Sequence, residues 1–232
     1  MTSDLTLAQR LERTEARSNA AFVEARARLM PEVGAAWQDF EGTYAMFDGV
    51  GSPLTQSFGL GVFGEVTDAH LATLEQFFDA RGAASQHEMS VLAGNAALAP
   101  LAARGYRPIE LSTVLCQPVV DAPPAALPPS LRVRAISPDE VNRWAATSAA
   151  GWGETPDLAA FMLAFGRVAA TAAGCVAFLA EWDGEPIAAA ARTISGNGTS
   201  NAKMATKAAA AIAHSTPFFS AREPMRNAAC TT

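Results

Sequence analysis

The run Gly174-Cys175-Val176-Ala177-Phe178-Leu179-Ala180-Glu181-Trp182-Asp183-Gly184-Glu185-Pro186-Ile187-Ala188-Ala189-Ala190 decides the fold. Two apolar segments flank Asp183-Gly184. An Asp-Gly pair adopts the positive backbone dihedrals of a two-residue turn at little cost, so the spacing predicts a β-hairpin. A hairpin alone is marginal in water and needs further elements to cover it.

Those elements lie immediately upstream. Thr155-Pro156-Asp157 reads as the cap of a helix running to about Ala173, with Leu158, Phe161, Met162, Phe165 and Val168 as its apolar face. Gly151-Trp152-Gly153-Glu154 separates it from an earlier helix that ends near Ala149. That helix opens at Ser137-Pro138-Asp139-Glu140, with Ser at the cap, Pro at the first helical position and Glu at the third. Leu131–Ala135 reads as a short strand. The order is strand, helix, helix, strand, turn, strand.

Before Leu131 lies a linker. Residues 118–130 hold five prolines in thirteen positions, a composition that excludes a helix or a central strand and favours an extended polyproline connection. Upstream of it the chain patterns itself again. Thr6-Leu7-Ala8-Gln9 reads as a capping box opening a long helix, which Pro31 ends or kinks. A short helical piece over Val33–Phe40 is expected next. Thr43–Asp48 and Ser57–Phe63 read as strands, joined by the turn-rich Gly49-Val50-Gly51-Ser52-Pro53. Thr67 caps a helix with Leu71, Leu74, Phe77 and Phe78 as its buried stripe, closed by Gly82. Gln86–Leu92 reads as a strand, Ala96–Arg104 as a helix closed by Gly105, and Glu110–Gln117 as a last strand. The alternation of helices and strands is α/β (α+β) in character.

Composition narrows the class. The formal charge is −6 over 232 residues, with no broad basic patch for nucleic acid. Cys116, Cys175 and Cys230 form neither a zinc pattern nor a disulfide framework, and a reducing cytoplasm is expected. Met1-Thr2-Ser3-Asp4 does not begin a signal peptide, and no uncharged apolar run reaches membrane-spanning length. The composition also breaks. Residues 1–191 contain no lysine, whereas the tail from Ala191 holds Lys203 and Lys207 and lacks Leu, Val and Asp altogether. That break reads as a shifted reading frame or a fusion join near residue 191, or else as a low-complexity tail.

The hairpin written Phe178-x-Ala180-Glu181-x-Asp183-Gly184-x-Pro186-x-Ala188 resembles the central hairpin of the GNAT acetyltransferases. Leu98–Pro108, a short helix ending in Gly105-Tyr106, is similar to the last helix and turn of such a domain. The resemblance implies a mixed sheet flanked by helices over residues 1–117, the linker 118–130, the opening half of a second such domain over 131–190, and an atypical tail over 191–232. It also implies an N-acetyltransferase that passes the acetyl group of acetyl-CoA, as co-substrate, to a small-molecule or peptide amine. In such an enzyme a carboxylate or water takes the amine proton and an acid reprotonates the CoA thiolate.

In that family a loop written R/Q-x-x-G-x-G/A, between the fourth strand and the next helix, holds the pyrophosphate. Small glycines let backbone N–H groups approach the phosphates, and the helix N-terminus adds a favourable dipole. In the first half the corresponding place is expected at Gly64-Glu65-Val66-Thr67-Asp68, which carries two acids and no such pattern. In the tail, Gly196 and Gly198 have the G-x-G spacing, but Arg192 stands four residues before Gly196 instead of three. They are the candidate cofactor-binding residues. Gly59-Leu60-Gly61-Val62-Phe63-Gly64 is a literal G-x-G-x-x-G, read as glycines within a bulged strand. Trp152 and Glu154 are the candidate acceptor-binding residues, because in GNAT enzymes the break between the two opening helices borders the acceptor pocket. Tyr44 and Tyr106 do not fall where the family's general acid is expected, and no catalytic residue is assigned. His70, His87 and His214 share no ligand spacing, so no metal is expected.

The competing reading, from a different class, is a catalytically silent GNAT-like scaffold lacking the pyrophosphate loop. Such a chain would leave an unpaired sheet edge after the hairpin and self-associate through it.

Overall fold

The computed structural model describes residues 5–114, 126–152 and 155–193. The fold is mixed α/β, with a four-stranded and a three-stranded sheet among the described residues. The chain divides into two compact units. Among the described residues, the first holds those up to Ala16 together with Gly34–Thr113; the second holds Arg17–Val33 and those from Val114 to Thr193.

Helix α1 (Leu5–Leu29) contributes to both units. It is already helical at Leu5, so Thr6 lies inside it and does not cap it as the sequence pattern suggested. The Gln9 amide donates to the Val62 carbonyl at 2.7 Å, a distant acceptor in place of the local capping box. The helix stops before Pro31, and Pro31–Val33 forms a single 3-10 turn. The helical piece expected over Val33–Phe40 is instead strand β1 (Ala36–Phe40). A tight turn at Glu41-Gly42, with φ of 53° and 95°, folds β1 back on β2 (Thr43–Phe47) and commits it to a hairpin.

Strand β2 is buried along its whole length. It pairs antiparallel with β3 (Ser57–Phe58), which pairs in parallel with β4 (His87–Glu88). Both expected strands here, Ser57–Phe63 and Gln86–Leu92, shrink to two residues. Gly59 and Gly61 turn the chain at φ of +83° and +80°, and Ser90 opens a 3-10 turn over Val91–Ala93. Helix α2 (Asp68–Asp79) connects the parallel pair, and Thr67 caps it by accepting the His70 N–H. Leu71, Leu74, Phe77 and Phe78 are buried against Ala45, Phe47, Leu60 and Val66. Helix α3 (Asn95–Ala103) adds Ala97 and Leu101 to this core. Gly105 follows it at φ +83°. The expected strand Glu110–Gln117 is not formed over its described part, 110–114, where Leu111 is 88% exposed.

In the second unit, β5 (Leu131–Ala135), α4 (Val141–Ala150), α5 (Pro156–Ala169), β6 (Cys175–Trp182) and β7 (Glu185–Thr193) follow in the expected order. The sheet runs β5-β6-β7, antiparallel throughout. Asp183 and Gly184 make the turn with φ of 50° and 89°, and Trp182 pairs with Glu185 across it. Glu181 pairs with Pro186 but Ala180 with Ala188, so Ile187 is an extra, bulged residue. Trp144 of α4 is buried, and its Nε1 donates to the carbonyls of Phe178 and Ala190, clamping β6 and β7 under the helix. Gly166 of α5 would, with a side chain, place its Cβ 3.2 Å from that of Ala145, so a glycine is what lets α4 and α5 approach. Helix α5 ends at Ala169, short of Ala173, and the Thr171 N–H and hydroxyl both donate to the Val168 carbonyl. Val168 is buried as the stripe predicts, whereas Phe161 departs from it and is exposed, and Gly166, outside the stripe, is buried. Phe22 from the second half of α1 packs its ring 4.4 Å from that of Phe165.

Residues 118–125 of the expected linker and the tail from residue 194 lie outside the described residues. Among the described residues, no helix is long and apolar enough to cross a membrane.

Candidate functional site

The expected site residues are unevenly described. Glu154, Gly196 and Gly198 lie outside the described residues. Trp152 follows the end of α4, half-buried, its backbone N–H donating to the Ala149 carbonyl at 3.0 Å. Beside it an open groove of about 300 Å³ runs between α4 and α5, lined by Ala146, Ala149, Ala150, Ala159, Ala160 and Leu163. That lining holds no carboxylate for an amine.

The charged cluster of the second unit is a structural clamp. Arg134 on β5 donates to both carboxylate oxygens of Glu140 at 2.6 Å and to those of Glu181 at 2.7 and 2.9 Å. Arg143 joins it, reaching Glu181 and the Gly184 carbonyl at the hairpin turn. The Arg134 guanidinium is the main cause that holds both carboxyls below the usual carboxylate range. All four carboxylate oxygens of Glu140 and Glu181 are committed to the two arginines. Burial pushes the Cys175 thiol up, away from the thiolate a nucleophile needs.

The first unit offers more. Strands β3 and β4 lie parallel, and the chain leaves the C-terminal end of β3 through a glycine loop, residues 59–66, into the N-terminus of α2. In parallel α/β arrangements ligands bind at the C-terminal ends of strands, where such loops meet helix N-termini. The residues entering this loop are Gln56-Ser57-Phe58-Gly59-Leu60-Gly61. They spell Q-x-x-G-x-G without a gap. The pattern escapes a reading that carries β3 through to Phe63, because the loop is then sought after Gly64. The signal was present: two glycines, two residues apart, between a strand and the Thr67 cap.

Both glycines are required by geometry. A Cβ on Gly61 would stand 2.9 Å from that of Ala93, and one on Gly59 3.0 Å from the Phe63 ring. Three side chains of α1 hold the loop. Gln9 takes the Val62 carbonyl, Glu12 accepts the Gly59 N–H at 3.2 Å, and Arg13 lays its guanidinium 4.1 Å from the centre of the Phe63 ring and 4.7 Å from that of Tyr44. Asp39 carries the opposite charge 3.9 Å from Arg13. Burial first, then the neighbouring Glu15, push the Glu12 carboxyl up to about 7, against the Gly59 N–H that favours its charge. Gln56 is turned away, its amide donating to the Pro53 carbonyl.

Ser57 and His87 face each other across β3 and β4, with Oγ and Nδ1 2.7 Å apart. This spacing suits a nucleophile and its base, yet Ser57 is fully buried and Nε2 of His87 meets no orienting carboxylate. Burial, helped by His70, lowers the His87 imidazole to about 4, so it stays neutral. The pair ties the parallel strands together. Tyr106 packs its ring against His87, and its hydroxyl donates to Glu75, which Arg104 also holds; burial pushes the phenol up to about 12. Among the described residues no group of three or more His, Cys, Asp or Glu side chains is placed to hold a metal ion.

No protein-family model, curated protein or solved structure matches the chain.

Proposed function

We propose that this chain is an acetyl-CoA-dependent N-acetyltransferase of GNAT type, with the cofactor's pyrophosphate held by residues 59–66 of the first unit. One observation carries the reading. The run Gln56-x-x-Gly59-x-Gly61, the pattern the resemblance asks for, contains β3 of the parallel pair and leads from it into the loop before the α2 N-terminus. A helix and a hairpin precede it, and the further strand β3 lies within it. That is the family's order up to its fourth strand, less the opening strand and one helix.

Acetyl-CoA would supply an acetyl group activated as a thioester. The chain's own part is recognition. Backbone N–H groups of the loop and the dipole of α2 favour phosphate oxygens, and Arg13, positioned by Tyr44 and Phe63, adds a fixed positive charge. The acceptor is an amine of a small molecule or peptide; nucleic acid and membrane have no part in this reading. Calorimetric titration of the full chain with acetyl-CoA tests it. Saturable binding in the micromolar range supports the proposal, and an amine screen follows. Absence of binding up to millimolar acetyl-CoA overturns it.

One observation favours the silent-scaffold reading. Glu12 already occupies the Gly59 N–H, and Glu65 and Asp68 stand at the same loop. In that case the edge of β7, which pairs only with β6 among the described residues, is the feature to watch. Size-exclusion chromatography then shows concentration-dependent association. A sharp monomer peak at all concentrations counts against it.

A further inference from the structure

The three α1 contacts on the glycine loop are chemically unlike one another. Gln9 takes a carbonyl and Arg13 takes ring faces, so neither uses a group that a phosphate could use. Glu12 alone takes an N–H, that of the first glycine of the run. Its carboxylate is an anion seated on a donor where the proposed ligand would place another.

We infer that Glu12 is a built-in competitor for the phosphate seat, and that its carboxylate must leave the Gly59 N–H before a pyrophosphate can take it. The inference rests on the acetyl-CoA reading above. Three features make the contact displaceable. It is a single hydrogen bond at 3.2 Å, longer than a charge-assisted bond at its best. Its carboxyl is partly buried beside a like-charged Glu15, an environment that already disfavours its charge. And α1 retains its Gln9 and Arg13 contacts when Glu12 swings away, so release of one side chain does not require release of the helix. The contact therefore sets the affinity of the loop without being needed to form it.

The test is calorimetry of the full-length chain and its Glu12→Gln and Glu12→Ala variants, with acetyl-CoA and with S-acetylpantetheine, which lacks the pyrophosphate. At pH 8, above the Glu12 value of about 7, the wild-type side chain is ionised, and removing that negative charge beside a bound pyrophosphate is expected to tighten acetyl-CoA binding by roughly tenfold or more. S-acetylpantetheine should bind all three proteins alike. Glu12→Gln keeps the size and an acceptor oxygen, so it serves if Glu12→Ala fails to fold. Unchanged or weaker acetyl-CoA binding by folded variants, with wild type still binding, overturns the competitor role and leaves the acetyl-CoA reading standing. Equal tightening toward S-acetylpantetheine also overturns it, because the effect would then not be at the phosphates. Absence of acetyl-CoA binding by all three folded proteins overturns both.

Discussion

Glu12 and His87 sit in the same unit and titrate against each other in their effect on stability. The Glu12 carboxyl lies at about 7 in the folded chain against an ordinary 4.5, so between these values the native state binds the extra proton and stability falls as pH rises. His87 lies at about 4 against an ordinary 6.5, so across that window the unfolded state binds the extra proton and stability rises with pH. The two slopes oppose, and wild type should show a shallow pH profile between about 4.5 and 6.5. Glu12→Gln should uncover the rising slope, on the order of 3 kcal/mol in full, and gain about 1–2 kcal/mol at pH 8 after allowing for its partial exposure. His87→Gln should uncover the falling one. Urea unfolding at three pH values reads both, and two variants with parallel profiles would refute the assignment. Gly184 isolates backbone strain: φ is +89° and a Cβ there meets nothing within 4 Å. Gly184→Ala should therefore cost about 1 kcal/mol through the turn conformation alone, read as a lowered urea midpoint with unchanged slope.

At the scale of elements, what the sequence made readable was whatever carries its own stop and start chemistry. The caps Thr67 and Thr155, the Ser137–Glu140 start and the Asp183-Gly184 turn all fell where local hydrogen bonding places them. Strands β3 and β4 were overdrawn because two residues each leave no periodicity to read; their pairing is set by β2 and α2, far away in sequence. The Q-x-x-G-x-G run was hidden by the same error, since overextending β3 absorbed its glycines. The Gln9 contact had no local signal at all. The clamp joining β5, α4 and β6 offers a test at this scale. Arg134→Met should lower the melting temperature at pH 7, because Glu140 and Glu181 lose their main partner. Both carboxyls are held down in the native state, so the clamp's contribution is whole above the ordinary carboxylate range and is lost progressively as pH falls below that range toward the depressed folded values. The gap between variant and wild type should close in acid; a gap independent of pH would mean Arg134 acts by packing. In the first unit, Leu74→Ala removes a fully buried side chain from the α2 stripe and should cost about 3–5 kcal/mol by denaturant unfolding.

For the molecule as a whole, neither unit is a continuous length of chain, because α1 is divided between them at Ala16 and Arg17. Deleting residues 1–33 removes Gln9, Glu12 and Arg13 from the first unit and the Phe22 contact from the second. Calorimetry of that deletion should show both units melting at lower temperature; an unchanged transition in either would show that unit to be independent of α1. The same division bears on synthesis. Phe22 leaves the ribosome early, whereas Phe165, against which it packs, is made only after the whole first unit and the proline-rich stretch have been translated. At about 5–20 residues per second, the apolar side of the nascent helix waits on the order of ten seconds for its partner. The second unit therefore cannot close during translation from its own contiguous segment. It must recapture a helix made before the whole first unit, and that interval is when a holding chaperone would matter most to the yield of folded chain.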